Sequence, residues 1–453
     1  MEAEKKRSSF SGKLGFVLAA AGSAVGLGNI WRFPYLAAKY GGGIFLLVYI
    51  ILAVTFGFAL MTAEIALGRK TRLSAIGSFG ALNKKWSFLG VLASIVPMII
   101  LPYYCVIGGW VTKYLVSYAA GQGAAAAGKD YFTNFIVQPF QPVAWLCIFI
   151  ALTAVVVFLG VEKGVERVSK ILMPVLVALS IGIAVYACIQ PGAWEGIKFY
   201  FIPDFSRFSP MTVLAALGQL FYSMSLAMGI MITYGSYMKK EVNLEKSVRQ
   251  IEIFDTVIAL IAGLMIVPAV FVFSGGAADA MSAGPGLMFQ TLPQVFETMP
   301  GGHIIGGAFF LLVLFAALTS SISLMETVVS ILHDKLHWNR RGICLLVAGG
   351  ALLVGIPSAL GFGIWEGIQI LGMSILDFFD FLSNSVLMPV VALLTAVFVG
   401  FVIKPKTIID EVELTGRFSG KKLFIIVIKW IAPICIVAIL ISSVLNGMGI
   451  IKI

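Results

Sequence analysis

The chain has 453 residues, 59% hydrophobic and only 12% charged, with 32 Lys and Arg against 22 Asp and Glu, a net charge of +10. With a mean hydropathy of +0.99, this excludes an ordinary soluble domain, in which about 25% of residues are charged. The positive balance does not point to nucleic acid either, because 24 of the 32 basic residues fall in alternate loops between apolar runs, which is how membrane proteins mark their cytoplasmic side.

Crossing about 30 Å of hydrocarbon takes roughly 20 apolar residues. Eleven windows meet that length: 14–38, 42–68, 88–119, 141–159, 165–189, 211–238, 250–274, 303–332, 342–359, 367–403 and 422–447. They are numbered spans 1 to 11 below. The tenth is long enough to hold one span plus an interfacial piece. The opening MEAEKKRSSFSGK is charged, and no short apolar stretch with a small-residue cleavage site follows it, so span 1 does not read as a leader. Basic loops at the N-terminus, 69–85, 160–170, 239–249, 333–341 and 404–422 predict a cytoplasmic N-terminus and, with an odd number of spans, an external C-terminus.

Span 1 contains GSAVGLGNIWRFP, with three glycines, a proline, an Asn and an Arg between residues 22 and 34. Small residues such as Gly22 and Gly26 suit close helix packing. An adjacent Asn and Arg instead suggest an opened helix, whose freed backbone groups are tolerable only if they line a cavity. Span 6 is interrupted in the same way at SMSLAMGI, residues 223–230. Spans 1 and 6 each open a block of five. The expected organisation is therefore one all-α integral membrane domain, with a first repeat at 14–189, an inverted second repeat at 211–403 and an additional helix at 422–447. Freed carbonyls suit a cation and half-helix N-termini suit a carboxylate.

Span 8 places Thr319, Ser320 and Ser321 together in FAALTSSISLME. Such hydroxyls either bond back to helix carbonyls or, beside the Ala316 carbonyl, present oxygens to a hard cation; spacing alone does not decide. The segment 275–302, long, neutral and rich in Gly and Pro, reads as a lid. Residues 404–422 read as a solvated linker. The five cysteines lie in apolar runs without a CxxC pair and read as packing residues, and His333 and His337 lie on a basic, solvated turn. Neither a nucleophile–base set nor HExxH is present, which argues against a membrane enzyme.

The run AAAGSAVGLGNIWRFPYLAAKYGGGIFLLVYI resembles the helix 1–2 signature of the neurotransmitter:sodium symporter family, the LeuT-fold amino-acid and transmitter carriers. TAEIALGR, PYYCVIGGW, ITYGSYMKK, GPGLMF and ALTSSIS extend the resemblance from residue 14 to about 330, and eleven spans resemble the bacterial branch that includes tyrosine and multi-hydrophobic amino-acid transporters. The resemblance implies sodium-driven import of an apolar or aromatic L-amino acid by alternating access, with a sodium-independent exchanger of the same fold as the alternative.

It also implies two sodium sites. The first uses the Ala24 carbonyl, Asn29, Ser223, a helix 7 residue and the substrate carboxylate. The second uses carbonyls of Gly22, Val25 and Ala316 with the Thr319 and Ser320 hydroxyls. Aligning DTVIALIAG by its AG pair makes Asp255 the helix 7 ligand, and aligning by Pro268 shifts it by one; Asp255 is preferred. An ionised Asp255 would replace the charge of a bound chloride, and Ala259 stands where chloride-dependent members have a ligating Ser, so no chloride requirement is expected.

The implied substrate site has the Leu27 and Gly28 amides with the Tyr104 hydroxyl for the carboxylate, and carbonyls near Tyr222 and Ser225 with Ala24 for the amino group. Ile100, Tyr222, Met228, Leu324 and Ser321 surround the side chain. Gly26, where monoamine carriers have Asp, favours an α-amino acid. The implied gates are Arg32 with Asp380 outside (Asp377 the alternative) and Arg7 with Asp334 inside, with Phe10 in place of a Trp and Tyr237 nearby. Gly164 and Pro174 have the family's spacing for unwinding helix 5.

Overall fold

The computed structural model describes residues 8–275 and 284–447. Among these the chain is helical throughout, with two isolated backbone bridges and no strand. Among the described residues nine helices are long and apolar enough to cross a membrane: Gly43–Thr71, Lys84–Ala119, Gln141–Phe158, Val161–Cys188, Leu244–Phe273, Gly302–Leu336, Arg340–Leu360, Ile375–Val402 and Lys421–Leu445. These are helices 2 to 5 and 7 to 11. Helix 1 is the pair Lys13–Ala24 and Gly28–Lys39, bent by 53° at its break. Helix 6 is split into Pro210–Ser223 and Ile230–Tyr237. All eleven predicted windows thus contain helix. The fourteen residues before helix 10 are turns closed by an Ile370–Met373 bridge, so its span is shorter than the window 367–403.

The helix 6 break depends on unfavourable backbone. Ser225 (φ 52°), Ala227 (φ 59°) and Gly229 (φ 69°) are left-handed, which costs about 1–2 kcal/mol for each residue with a Cβ. Two side chains offset this. The Ala227 amide donates to Glu64 Oε1 of helix 2 at 2.7 Å, and the Ser225 hydroxyl donates to the Ser23 carbonyl of helix 1 at 2.9 Å. The two interrupted helices are therefore joined to each other at their interruptions.

The segment from residue 284 onward packs inward. Leu287, Met288 and Phe289 are buried, and Phe289 meets Trp31, Trp110 and Phe132 while its carbonyl accepts from the Tyr114 hydroxyl. The described part of the expected lid is thus keyed into the bundle by an aromatic cluster; the rest of that expectation falls on residues 276–283, outside the described residues.

The expectation of a solvated linker at 404–422 is corrected. Lys404–Val412 is an amphipathic helix with Pro405, Ile408, Ile409 and Val412 buried, an i, i+3, i+4, i+7 stripe that needs a partner. It straps the basic end of the bundle. Arg69 Nε of helix 2 meets Glu411 Oε1 at 2.8 Å, with the two side chains 0% and 5% exposed. Arg69 also donates to the Val242 carbonyl at 2.9 Å. Glu245, at the start of helix 7, accepts from the amides of Ser419 (2.9 Å) and Gly420 (3.1 Å). Removing one member of a buried ion pair costs about 3–5 kcal/mol, whereas an exposed pair contributes about 0–1. Glu411→Ala is expected to lower the melting temperature of the detergent-solubilised protein markedly. Glu413→Ala, which breaks the exposed Lys421 pair, should leave it nearly unchanged.

Candidate functional site

The two breaks face each other across a small cavity. Ala24, Leu27, Gly28, Ile100, Tyr104, Tyr222, Ser225, Met228 and Leu324 line it, as do Ser23, Gly26, Asn29, Ile230 and Ser320. The lining has hydroxyls and one amide but no ionisable acid or base other than Tyr. Ser321 is the exception among the expected substrate residues. Its hydroxyl meets Thr153 of helix 4 at 2.9 Å and bonds back to the Leu318 carbonyl at 3.0 Å. Consecutive helical residues are about 100° apart, so Thr319, Ser320 and Ser321 cannot share one face, and Ser321 turns away from the cavity.

Two glycines let the walls approach. A Cβ on Gly26 would lie 2.6 Å from Ser320 Oγ and 3.2 Å from the Tyr104 hydroxyl, and one on Gly28 would enter the Tyr222 ring. The Tyr104 hydroxyl accepts from the Leu27 amide at 3.4 Å, beside the N-terminus of the second half of helix 1. Helix N-termini favour anionic groups.

Beside the cavity, Asn29, Ser223 and Asp255 converge from helices 1, 6 and 7, all buried. Asn29 Nδ2 donates to Asp255 Oδ1 (2.8 Å) and to Ser223 Oγ (3.0 Å), Ser223 donates to both Asp255 oxygens (2.8 and 3.0 Å), and the Tyr49 hydroxyl donates to Asp255 Oδ2 at 3.3 Å. Among the described residues no basic side chain pairs with Asp255. A buried carboxylate surrounded by neutral donors calls for a positive charge, since neutral hydrogen bonds only partly offset its desolvation. Ala24 lines the adjoining cavity.

The second expected set also comes together. Ser320 Oγ lies 3.5 Å from the Gly22 carbonyl, 3.2 Å from that of Ser23 and 3.5 Å from that of Val25. Thr319 Oγ1 is 3.1 Å from the Ala316 carbonyl and also bonds back to Phe315 at 3.0 Å. Thr319 and Ser321 bond back to carbonyls of their own helix, whereas Ser320 reaches the carbonyls of helix 1, and Thr319 packs near Gly22. Carbonyl and hydroxyl oxygens of this kind suit a hard cation.

Towards the less basic end, Tyr222 separates the cavity from a vestibule with about 1330 Å³ of empty space, lined by Arg32, Asp377, Asp380 and Asn384 among others. The expected Arg32–Asp380 ion pair is not formed in this structure. The Arg32 guanidinium lies 5.4 Å from the Tyr222 ring centroid, while Asp380 accepts from Asn384 at 2.6 Å and Asp377 meets Ser374 at 2.7 Å. Each charge has a local partner, and the vestibule spares them burial in hydrocarbon.

At the basic end the path is filled. Phe10 is 1% exposed, packs edge-on against Phe16, Tyr234 and Tyr237, and donates its amide to the Tyr237 carbonyl at 3.2 Å. Arg7 lies outside the described residues. Asp334 Oδ2 accepts from the Ser74 amide at 2.8 Å. Sequence reasoning missed the buried Glu326, which accepts from Tyr237 at 2.8 Å and pairs with Arg340. It also missed Tyr49 and Glu64. Glu64 carried a usable signal, as a lone acid within an apolar span; Tyr49, one aromatic among many, carried none. Helix 5 is continuous through Gly164 and Pro174, and its Met173 packs near Gly22.

This architecture, a bundle with two mid-span interruptions facing one cavity, is that of a LeuT-fold secondary transporter. Residues 7–134 and 125–449 match the sodium:neurotransmitter symporter family, and the chain belongs to that family. It is 35% identical to an uncharacterised sodium-dependent transporter of Bacillus subtilis, YhdH, covering 97% of this chain and 98% of the relative. A second relative of the same description, from Haemophilus influenzae, is 36% identical over 97% and 98% of the two chains. The crystal structure of MhsT in complex with L-phenylalanine superposes with a TM-score of 0.87 at 40% identity, covering 96% of this chain and all of that one. The protein is a sodium-dependent multi-pass membrane transporter, which sets aside the sodium-independent exchanger. Because a methyl group on Gly26 would press on the Ser320 and Tyr104 hydroxyls, Gly26→Ala is expected to weaken sodium-dependent substrate binding, as checked by equilibrium binding to the purified variant.

Proposed function

We propose that the protein imports hydrophobic or aromatic L-amino acids together with two sodium ions, by alternating access and without chloride. The observation that bears most weight is the buried Asp255 carboxylate, held by Asn29, Ser223 and Tyr49 beside the cavity without a basic partner. A sodium ion held by Asn29, Ser223, Asp255, the Ala24 carbonyl and the substrate carboxylate would supply the missing charge. A bound substrate would thus help complete the site of the ion that drives it. A second ion among the Gly22, Val25 and Ala316 carbonyls and the Thr319 and Ser320 hydroxyls would bridge helices 1 and 8.

The substrate's carboxylate would meet the Leu27 and Gly28 amides and Tyr104, and its amino group the unwound backbone near Ala24, Tyr222 and Ser225. Its side chain would lie among Ile100, Tyr222, Met228 and Leu324. The lack of an ionised side chain in that lining supports an apolar or aromatic substrate, and the phenylalanine bound by MhsT agrees with it. Met228 is flexible and polarizable, which would let one pocket accept several sizes.

Alternating access would run between the vestibule at Arg32 and Asp380 and the packed basic end at Phe10, Tyr237 and Asp334, with the loosening of helix 5 between Gly164 and Pro174 releasing the second sodium. Basic loops support a cytoplasmic N-terminus, and the two breaks support the division into repeats at 14–189 and 211–403. Inward sodium yields roughly 2.3 kcal/mol per charge for each 100 mV, before its concentration gradient.

In proteoliposomes, uptake of labelled leucine, tyrosine or phenylalanine should require an inward sodium gradient, and uptake indifferent to sodium would reject the coupling. Thr319→Ala with Ser320→Ala should raise the sodium concentration for half-maximal uptake. Replacing chloride by gluconate should leave wild-type uptake unchanged. Asp255→Asn should lose uptake in both media, because the fixed charge goes with it; a wild type that stops in gluconate overturns chloride independence.

A further inference from the structure

One polar group at the vestibule has no part in the gate as described so far. Asn384 lies four residues after Asp380 in helix 10, within Phe381–Leu387, where the helix is wound as a wider π turn. Such turns recur at functional positions. Asn384 Nδ2 donates to Asp380 Oδ1 at 2.6 Å and to the Tyr103 hydroxyl at 3.3 Å, and Tyr103 in turn meets Ser383 at 3.1 Å. This fixes the amide's orientation, because its oxygen facing the carboxylate would set two acceptors against each other. Asn384 Oδ1 is therefore turned the other way, buried and without a hydrogen-bond partner.

The missing donor has a candidate across the vestibule. Arg32, Asp380 and Asn384 line the same space. Among the described residues Arg32 makes no ion pair, and its guanidinium rests over the Tyr222 ring. A guanidinium offers five N–H donors in a rigid planar fork, more than one carboxylate can accept. The Asp380 carboxylate and the Asn384 carbonyl, four residues apart on one helix and tied to each other, form an acceptor pair for such a fork.

We propose that Asn384 is a positioning residue of the outer gate. While the vestibule is open its amide holds Asp380 on helix 10 and Tyr103. On closure its Oδ1 accepts from Arg32 beside Asp380, so the closed gate has three members. This rests on the reading of Arg32 and Asp380 as the outer gate.

The test is the rate at which sodium-loaded, detergent-purified protein releases labelled L-phenylalanine after a chase with unlabelled phenylalanine. Arg32→Ala, Asn384→Ala and the double variant are compared, with melting temperatures recorded for each. Each single variant should release on the order of tenfold faster, the scale of one hydrogen bond to a charged group. The double variant should be no faster than the faster single, as for residues acting in one contact. Asn384→Asp, which keeps an oxygen for Arg32, should release more slowly than Asn384→Ala. Wild-type release from Arg32→Ala overturns the gate reading itself. Fast release from Arg32→Ala with wild-type release from Asn384→Ala, or rates that multiply in the double variant, overturns the role of Asn384 alone.

Discussion

Two helices interrupted inside a membrane must find partners for their freed backbone groups, and the rest of this structure depends on how they do so. Hydrocarbon supplies no hydrogen bonds, and each unsatisfied group would cost several kcal/mol. Here the helix 1 break is satisfied partly by helix 6, and the helix 6 break partly by helix 2. Ser225 reaches the Ser23 carbonyl, and Glu64 receives the Ala227 amide. What these contacts leave unused, carbonyls on one side and a half-helix N-terminus on the other, is the proposed binding site for a cation and a carboxylate. The local instability and the proposed function are thus one feature.

Charge follows the same economy. Asp255 is buried with neutral donors around it, and among the described residues no basic side chain pairs with it; in the proposed function a transported ion supplies the positive charge. Elsewhere two buried acids do find basic partners, Glu411 with Arg69 and Glu326 with Arg340, whereas Glu64 and Glu252 are buried without an ion pair among the described residues. Both pairs stand at the basic end and close the bundle there, together with Phe10. The opposite end keeps Arg32 and Asp380 apart over an open vestibule. The structure is accordingly filled at its basic end and hollow at the opposite end, with Tyr222 between the vestibule and the cavity.

Much of the fold was legible because its signals are local. Apolar runs of span length, basic loops in alternation, and glycines with an Asn inside span 1 are each visible within a few tens of residues. The second break could be located because Ser, Met and Gly interrupt an otherwise apolar span. The strap at 404–412 was legible too, but its charged composition drew attention from the i, i+3, i+4, i+7 stripe of Pro405, Ile408, Ile409 and Val412 that buries it.

By itself the sequence determined that this chain crosses a membrane, where helices 1 and 6 are interrupted, and which oxygen-bearing residues are available near those interruptions. Only the tertiary structure decided which of them meet. Ser320 approaches the Gly22 carbonyl across 298 positions of chain, and Asn29 reaches Asp255 across 226. Ser321, adjacent to Ser320, is turned by one helical step onto Thr153 instead. Tyr49 joins Asp255, Glu64 holds Ala227, and Arg32 rests on Tyr222 rather than Asp380. Helical periodicity sets the direction of a side chain relative to its own helix. The partner it finds depends on how the helices pack, and that is a property of the whole chain.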